Sequence, residues 1–292
     1  MRHFLSLWFL LLFNLVALKG VEADAKSNLP LFFWHTKTIE NFGDLLSLPL
    51  VERIVEEPVR VFKKNVKKNA KQEKKILGIG SILTFAANGD VIWGSGINGK
   101  YLDPSKYSFT NLDVRAVRGP LTRKFLAHHF QIESPKIYGD PALLFPFFFP
   151  EFKKQDHPSQ KYIIIPHYSE EYLFPKVLYG NTVVYPTEPW ETVVLKILDS
   201  QFVISSSLHG IIIAEAFGIP ARLLRVTANE PMFKYYDYYY GTNRPNFLFA
   251  TSIEEALKMG GEPPHECDLY KLYESFPFDL WPNVVIKPLS RE

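Results

Sequence analysis

His209 stands in ISSSLHGIIIAEAFGIP, residues 204–220, where a strand end gives way to a polar turn and an apolar helix. Ser207 is placed as the helix N-cap, which puts Leu208, His209 and Gly210 in the first turn. First-turn N–H groups have no intrahelical acceptor, and the helix dipole adds partial positive charge, so a phosphate or carboxylate fits there. That dipole disfavours an imidazolium in the empty site. A bound dianion favours one and turns His209 into a proton donor. The plainer alternative is a capped helix that carries an exposed imidazole.

Other residues offer charge around such a site. Arg115, Arg118 and Arg123 lie close together in RAVRGPLTR. Their planar forks match carboxylates and phosphates, with surface ion pairs as the alternative. Asp44 and Asp140 read as helix caps, or as carboxylates that shape a cleft. His167, in IPHYS, follows an apolar run and either faces that cleft or serves the structure. FKYYDYYYGTNRP, residues 233–245, reads as a tyrosine-rich loop that packs on a domain face or offers flat rings to a sugar. The sequence holds no HExxH, no paired CxxC and no Walker-type glycine loop, so no metal site is expected.

Two runs of alternating strand and helix signals must position these residues. In the first, the strand-like runs are LPLFFWH (29–35), KILGIGSIL (75–83), DVIWGSGI (90–97) and the openings of 112–130 and 136–150. A helix is expected within 41–57, kinked or delayed by Pro49, and another follows the Gly-Pro break at 119–120. EFKKQDHPSQ, residues 151–160, is polar and aperiodic and reads as a linker. The second run starts at KYIIIPHYS (161–169) and continues through TVVYPTE (182–188), FVISSS (202–207) and IPARLLRV (219–226). Its helices fall at 189–200, 208–217 and 252–260. The expected fold is therefore α/β, with two Rossmann-like doubly wound halves at 24–150 and 161–292. Ligands in such folds sit beyond the carboxyl ends of the strands and between domains.

The 292 residues carry a formal net charge of +2, which gives no broad field for nucleic acid. The basic run KKNVKKNAKQEKK (63–75) reads as a solvated face. Residues 1–23 have a basic start, an apolar stretch from Phe4 to Leu18 and small residues near Ala23. That is the pattern of a secretory signal, cleaved after Ala23 or kept as an anchor. An exported protein, or one facing a secretory lumen, is expected. Cys267 is the only cysteine, so no intrachain disulfide can form.

Taken together, NFGDLLSLPLVERI, GIGSIL, WGSGI, RAVRGPLTRKFL, YGDPALLFP, IPHYS and VISSSLHGIIIAEAFGIPA resemble the polysaccharide pyruvyl transferase family, in its order, over about residues 32–240. The resemblance implies a glycosyltransferase-B-like arrangement. It implies phosphoenolpyruvate as donor substrate, a glycan as acceptor and a pyruvate ketal as product, with no further cofactor and no nucleic acid. On that reading His209 is the general acid. The N–H groups after Ser207 hold the phosphate, Arg115 and Arg118 hold the carboxylate or phosphate, and Asp44 and Asp140 shape the cleft or orient the acceptor. The compartment is a Golgi-like lumen if the source is eukaryotic, with membrane attachment only through an uncleaved segment 1–23. One departure stands out: relatives often carry an arginine two positions before the histidine, and this chain has Ser207. A nucleotide-sugar glycosyltransferase and a non-catalytic exported glycan-binding protein are the alternatives on the same scaffold.

Overall fold

The computed structural model describes residues 29–36, 40–63 and 73–290. The segment expected to be a signal, residues 1–23, and most of the basic run lie outside the described residues. Strands β1 (Leu31–Phe32), β2 (Ile76–Leu77), β3 (Val91–Trp93) and β4 (Asp113–Ala116) form one parallel sheet in that order. Strands β5 (Ile163–Ile165), β6 (Val203–Ser205), β7 (Ala221–Leu224) and β8 (Phe249–Ala250) form a second. Every residue of β2, β3, β5, β6 and β7 is buried, as expected of parallel sheets covered on both faces.

Single bridges extend both sheets and reveal their winding. Leu31 pairs with Ile76 on one edge and bridges Val61 on the other. The chain thus leaves β1 in one direction and returns past it to form β2. Ile164 likewise pairs with Ile204 on one edge and bridges Val183 on the other. Each sheet therefore reverses its strand order once, between β1 and β2 in the first half and between β5 and β6 in the second. That reversal defines a doubly wound sheet and opens a crevice beyond the carboxyl ends of the two strands that flank it.

Local signals explain most of the remaining elements. Helical residues run Phe42–Leu45 and resume at Ser47–Val55. Pro49 sits in the first turn of the second segment, where its missing N–H is no loss. Asp44 is not the cap expected of it: Asn41 occupies that position, and Asp44 lies within the first segment. Asp140 does cap, its Oδ1 accepting the Ala142 N–H at 3.1 Å to start the 3-10 turn Pro141–Leu144. The tyrosine-rich segment is a helix, Phe233–Gly241, and not a loop. Tyr235, Tyr238 and Tyr239 follow one another at helical spacing and are all buried.

One hydrophobic core runs through both halves, from Leu31 and Trp93 to Ile165 and Ile213. At its centre is the helix Leu208–Ala216, buried on nearly all sides, which packs on the turn Pro141–Leu144 of the first half. The last segment does not stay with the second half. Trp93 Nε1–H donates to the Leu272 carbonyl at 2.9 Å, and the Cys267 thiol donates to the Tyr138 carbonyl at 3.2 Å. Among the described residues, no helix is long and apolar enough to cross a membrane.

Candidate active site

A cavity of about 320 Å³ opens where the two crevices meet. Trp34 follows β1, Ser81 follows β2 and Asn98 follows β3, while His167 follows β5 and the Ser207–His209 turn follows β6; all of them line it. The strand-end motifs of both halves thus reach one place.

His209 is buried in the wall of this cavity. Its Nε2 lies 3.7 Å from Asp140 Oδ2, and both atoms are enclosed without a hydrogen-bond partner. Asp140 is held in place by its capping bond through Oδ1, so its second oxygen is aimed at the imidazole. The opposite edge of the ring rests on Gly43, where a Cβ would lie 2.0 Å from Nδ1. Only glycine leaves the imidazole this position. The next residue, Asp44, is also buried and lines the cavity. Its Oδ2 accepts from Asn41 Nδ2 at 2.8 Å. Its Oδ1 occupies space that Gly80 leaves free; Gly80 has φ of 115°, and a Cβ there would lie 2.6 Å from Oδ1. Burial raises the Asp44 carboxyl to about 6, against the opposing pull of His209 and of the Asn41 hydrogen bond. This carboxyl therefore exchanges a proton near physiological pH, in the same enclosure as an imidazole.

The cations of the site were not legible as such. Lys234 Nζ lies 2.7 Å from Glu230 Oε2, and Lys100 Nζ lies 2.6 Å from Glu230 Oε1. Both lysines line the cavity beside Ser207, and Glu230 anchors them from behind. Burial lowers the Lys234 pKa, and Glu230 counters that loss. The four-residue spacing from Glu230 to Lys234 crosses the start of the helix at Phe233, so no helical periodicity points to the pair. His167 completes this cluster, with Nε2 3.6 Å from Glu230 Oε2 and Nδ1 2.8 Å from the Ser169 hydroxyl. Burial and the neighbouring Lys234 push it down to about 3, so its imidazole is neutral.

The other residues singled out in the sequence divide. Ser207 and Leu208 line the cavity, but the Ser207 side chain makes no capping bond. Ser205 does the local work: its hydroxyl sits between the Ile165 and Ser207 carbonyls at 2.7 and 2.8 Å and accepts the Ser207 N–H at 3.0 Å. Gly210 is a packing residue, since a Cβ there would lie 2.5 Å from the Ser205 hydroxyl and 3.2 Å from Ile165. Arg115 does not reach the site. Its guanidinium is taken up by Asp113, at 2.6 and 2.9 Å, and by Asp279, at 2.8 and 2.9 Å. Arg123 donates to the Ser134 carbonyl at 3.0 Å.

Arg118 is fully enclosed one layer behind the cavity wall. It donates to the Ser81 hydroxyl at 2.5 Å and the Ile97 carbonyl at 2.7 Å, and lies 3.2 Å from Asp237 Oδ2. Asp237 in turn accepts the N–H groups of Leu121 and Thr122, at 2.9 Å each. It thereby caps the helix Pro120–Phe130, whose own N-cap, Gly119, has no side chain to offer. Arg118→Lys keeps the charge but cannot span Ser81, Ile97 and Asp237 together. Loss of one such charged hydrogen bond should cost about 1.5–3 kcal/mol. Urea unfolding measures it, and an unchanged midpoint would contradict this structural role.

The profile of the polysaccharide pyruvyl transferase family matches residues 41–227. That span includes Asp44, Asp140, His167 and His209 and leaves out Trp34, Glu230 and Lys234. The chain is 28% identical over 193 residues to an uncharacterized protein of Acanthamoeba polyphaga mimivirus, covering 62% of this chain and 66% of that protein. It is 26% identical over 245 residues to the succinoglycan biosynthesis protein ExoV of Rhizobium meliloti, covering 78% of this chain and 71% of ExoV. Among solved structures, a functionally uncharacterized protein of Klebsiella pneumoniae aligns with 77% of this chain and 94% of its own. The TM-score is 0.45 at 12% identity, a likeness too weak to inform function.

Proposed function

The chain belongs to the polysaccharide pyruvyl transferase family, and on that premise we propose that it transfers pyruvate from phosphoenolpyruvate to a glycan as a ketal. The observation that carries the reading is the enclosed His209–Asp140 pair, with His209 lining a cavity that also holds two anchored lysines. The two doubly wound halves facing one cleft support a glycosyltransferase-B-like arrangement for it.

In the proposed reaction the donor's methylene carbon takes a proton and becomes a methyl group. Positive charge then develops at the central carbon, and a sugar hydroxyl attacks it. The bond from that carbon to the phosphate oxygen breaks, and a second hydroxyl forms the other carbon–oxygen bond of the ketal. Of the two hydroxyl protons, one replaces the proton given to the methyl group and the other leaves with the phosphate. His209 gives the first proton and recovers one from the attacking hydroxyl. Asp140 is placed to receive Nε2–H when the imidazole is charged, which leaves Nδ1 for the exchange. Asp44, with its carboxyl near 6, is a second station for a proton. The first-turn N–H groups after Ser207, with Lys100 and Lys234, hold the donor's phosphate and carboxylate. The lysines thus supply the charge that an arginine at position 207 would have brought.

Incubation of the protein with phosphoenolpyruvate and a glycan panel tests this directly. Each acceptor converted should gain the mass of a pyruvate ketal and release one phosphate. Phosphate release without the ketal, or transfer only from a nucleotide sugar, would overturn the reading. Lys234→Gln and Lys100→Gln should each weaken donor binding roughly tenfold or more, the worth of a charge-assisted hydrogen bond. Titration calorimetry with phosphoenolpyruvate reads this, and unchanged affinity in both variants would remove the lysines from the donor site.

A further inference from the structure

Beyond His209, the wall of the cavity is aromatic. Trp34 of the first half and Tyr168 of the second face each other with ring centroids 5.6 Å apart at 31°. Phe85 and Tyr101 line the same cavity and are 46% and 51% exposed. Four rings on four strand-end segments thus line one cavity. The same cavity holds two amide oxygens, Asn41 Oδ1 and Asn98 Oδ1, that are enclosed and lack a donor.

These features fit one kind of ligand. Flat apolar rings stack on the C–H faces of pyranose sugars, and exposed rings gain by being covered. Orphaned carbonyl oxygens require hydroxyl or N–H donors, which sugars carry in quantity. A cavity of about 320 Å³ is at the small end for a ligand site. A donor and one reacting sugar fill it, so the next sugar of an acceptor chain must lie at the mouth.

We propose that Trp34 and Tyr168, with Tyr101 in the wall of the same cavity, form a subsite for the second sugar of the acceptor, so that the protein selects an oligosaccharide end over a free monosaccharide. Trp34 and Tyr168 come from different halves, so the subsite exists only when the halves are joined. The inference rests on the reading of the chain as a glycan-modifying enzyme, and it is tested without the donor.

The full chain is titrated with galactose and glucose and with lactose, cellobiose and maltose, followed by saturation-transfer NMR and tryptophan fluorescence. At least one disaccharide should bind about tenfold more tightly than its monosaccharides. Trp34→Ala should remove that preference and leave the binding of inorganic phosphate unchanged. Tyr101→Ala, at an exposed position that the fold does not need, should weaken the disaccharide severalfold. The inference is overturned if monosaccharides and disaccharides bind alike, if no sugar binds, or if both variants keep the preference. A disaccharide preference lost in the variants, together with no transfer from phosphoenolpyruvate, would sustain the subsite and reject the donor.

Discussion

His209→Asn should lower turnover about a hundredfold to ten-thousandfold, the usual span for a lost acid–base group. Donor affinity should stay within a few-fold. Asparagine fills similar space against Gly43 and keeps the helix start, so the N–H groups and the two lysines still meet the anion. What it lacks is a proton to exchange. Asp140→Asn probes the same step from the other side. The carbonyl oxygen of the substituted amide can still accept the Ala142 N–H that Asp140 Oδ1 now takes at 3.1 Å. The negative charge facing His209 Nε2 is gone, so an imidazolium formed in the reaction loses its counterion. The double variant should be hardly slower than the His209 variant alone, because groups that act as a unit are not additive. Single-turnover rates with saturating donor measure this. A His209→Asn protein that turns over near the wild-type rate would return the histidine to a structural role.

Asp44→Asn should separate stability from activity. In the unfolded chain Asp44 titrates at its usual 3.8, whereas in the folded protein burial raises it to about 6. The folded state therefore holds the proton more tightly. The stability this contributes is complete below about pH 4 and is lost as pH rises through 6. Moving from 3.8 to about 6 corresponds to about 3 kcal/mol. Asparagine has no charge to bury, so the variant should exceed the wild type by that order at pH 8 and match it near pH 4. Turnover should fall at both. His167 works in the opposite sense: lowered to about 3 by burial and Lys234, it contributes above its unfolded value of about 6.5, and that contribution is lost as pH falls. It is present in both proteins and cancels in the comparison. Urea midpoints at the two pH values decide the matter, and a stability difference independent of pH would show that Asp44 is not a buried acid. A protein kept less stable by a carboxyl in its cleft is the pattern expected where function needs that group.

The sequence showed the site's backbone address better than its charges. Strand ends such as IPHYS and SSSLHG were readable because apolar runs and polar turns are local patterns, and His209 and Asp140 came with them. Lys234 was hidden because YYDYYY has few of the usual helix formers and reads as loop, while the helix there is stabilised by burying Tyr235, Tyr238 and Tyr239 in the shared core. Asp113, two residues from Arg115, already offers the ion pair that was its alternative reading, and the second partner, Asp279, lies 164 residues away. No local pattern reports such a partner. Ser207 had the right residue type for a cap, yet the cavity side of the turn left the bonding to Ser205.

The core that passes through both halves also limits how this chain can diversify. An enzyme built from separable modules can change partners by exchanging one module whole. Here the helix Leu208–Ala216 is wedged against the turn Pro141–Leu144, and the C-terminal segment returns to Trp93. A transplanted half would meet the wrong surface on both counts. New acceptors and donors are open to this scaffold mainly through the strand-end loops, such as the one carrying Lys100 and Tyr101, whose exposed side chains can vary without disturbing what holds His209 against Gly43.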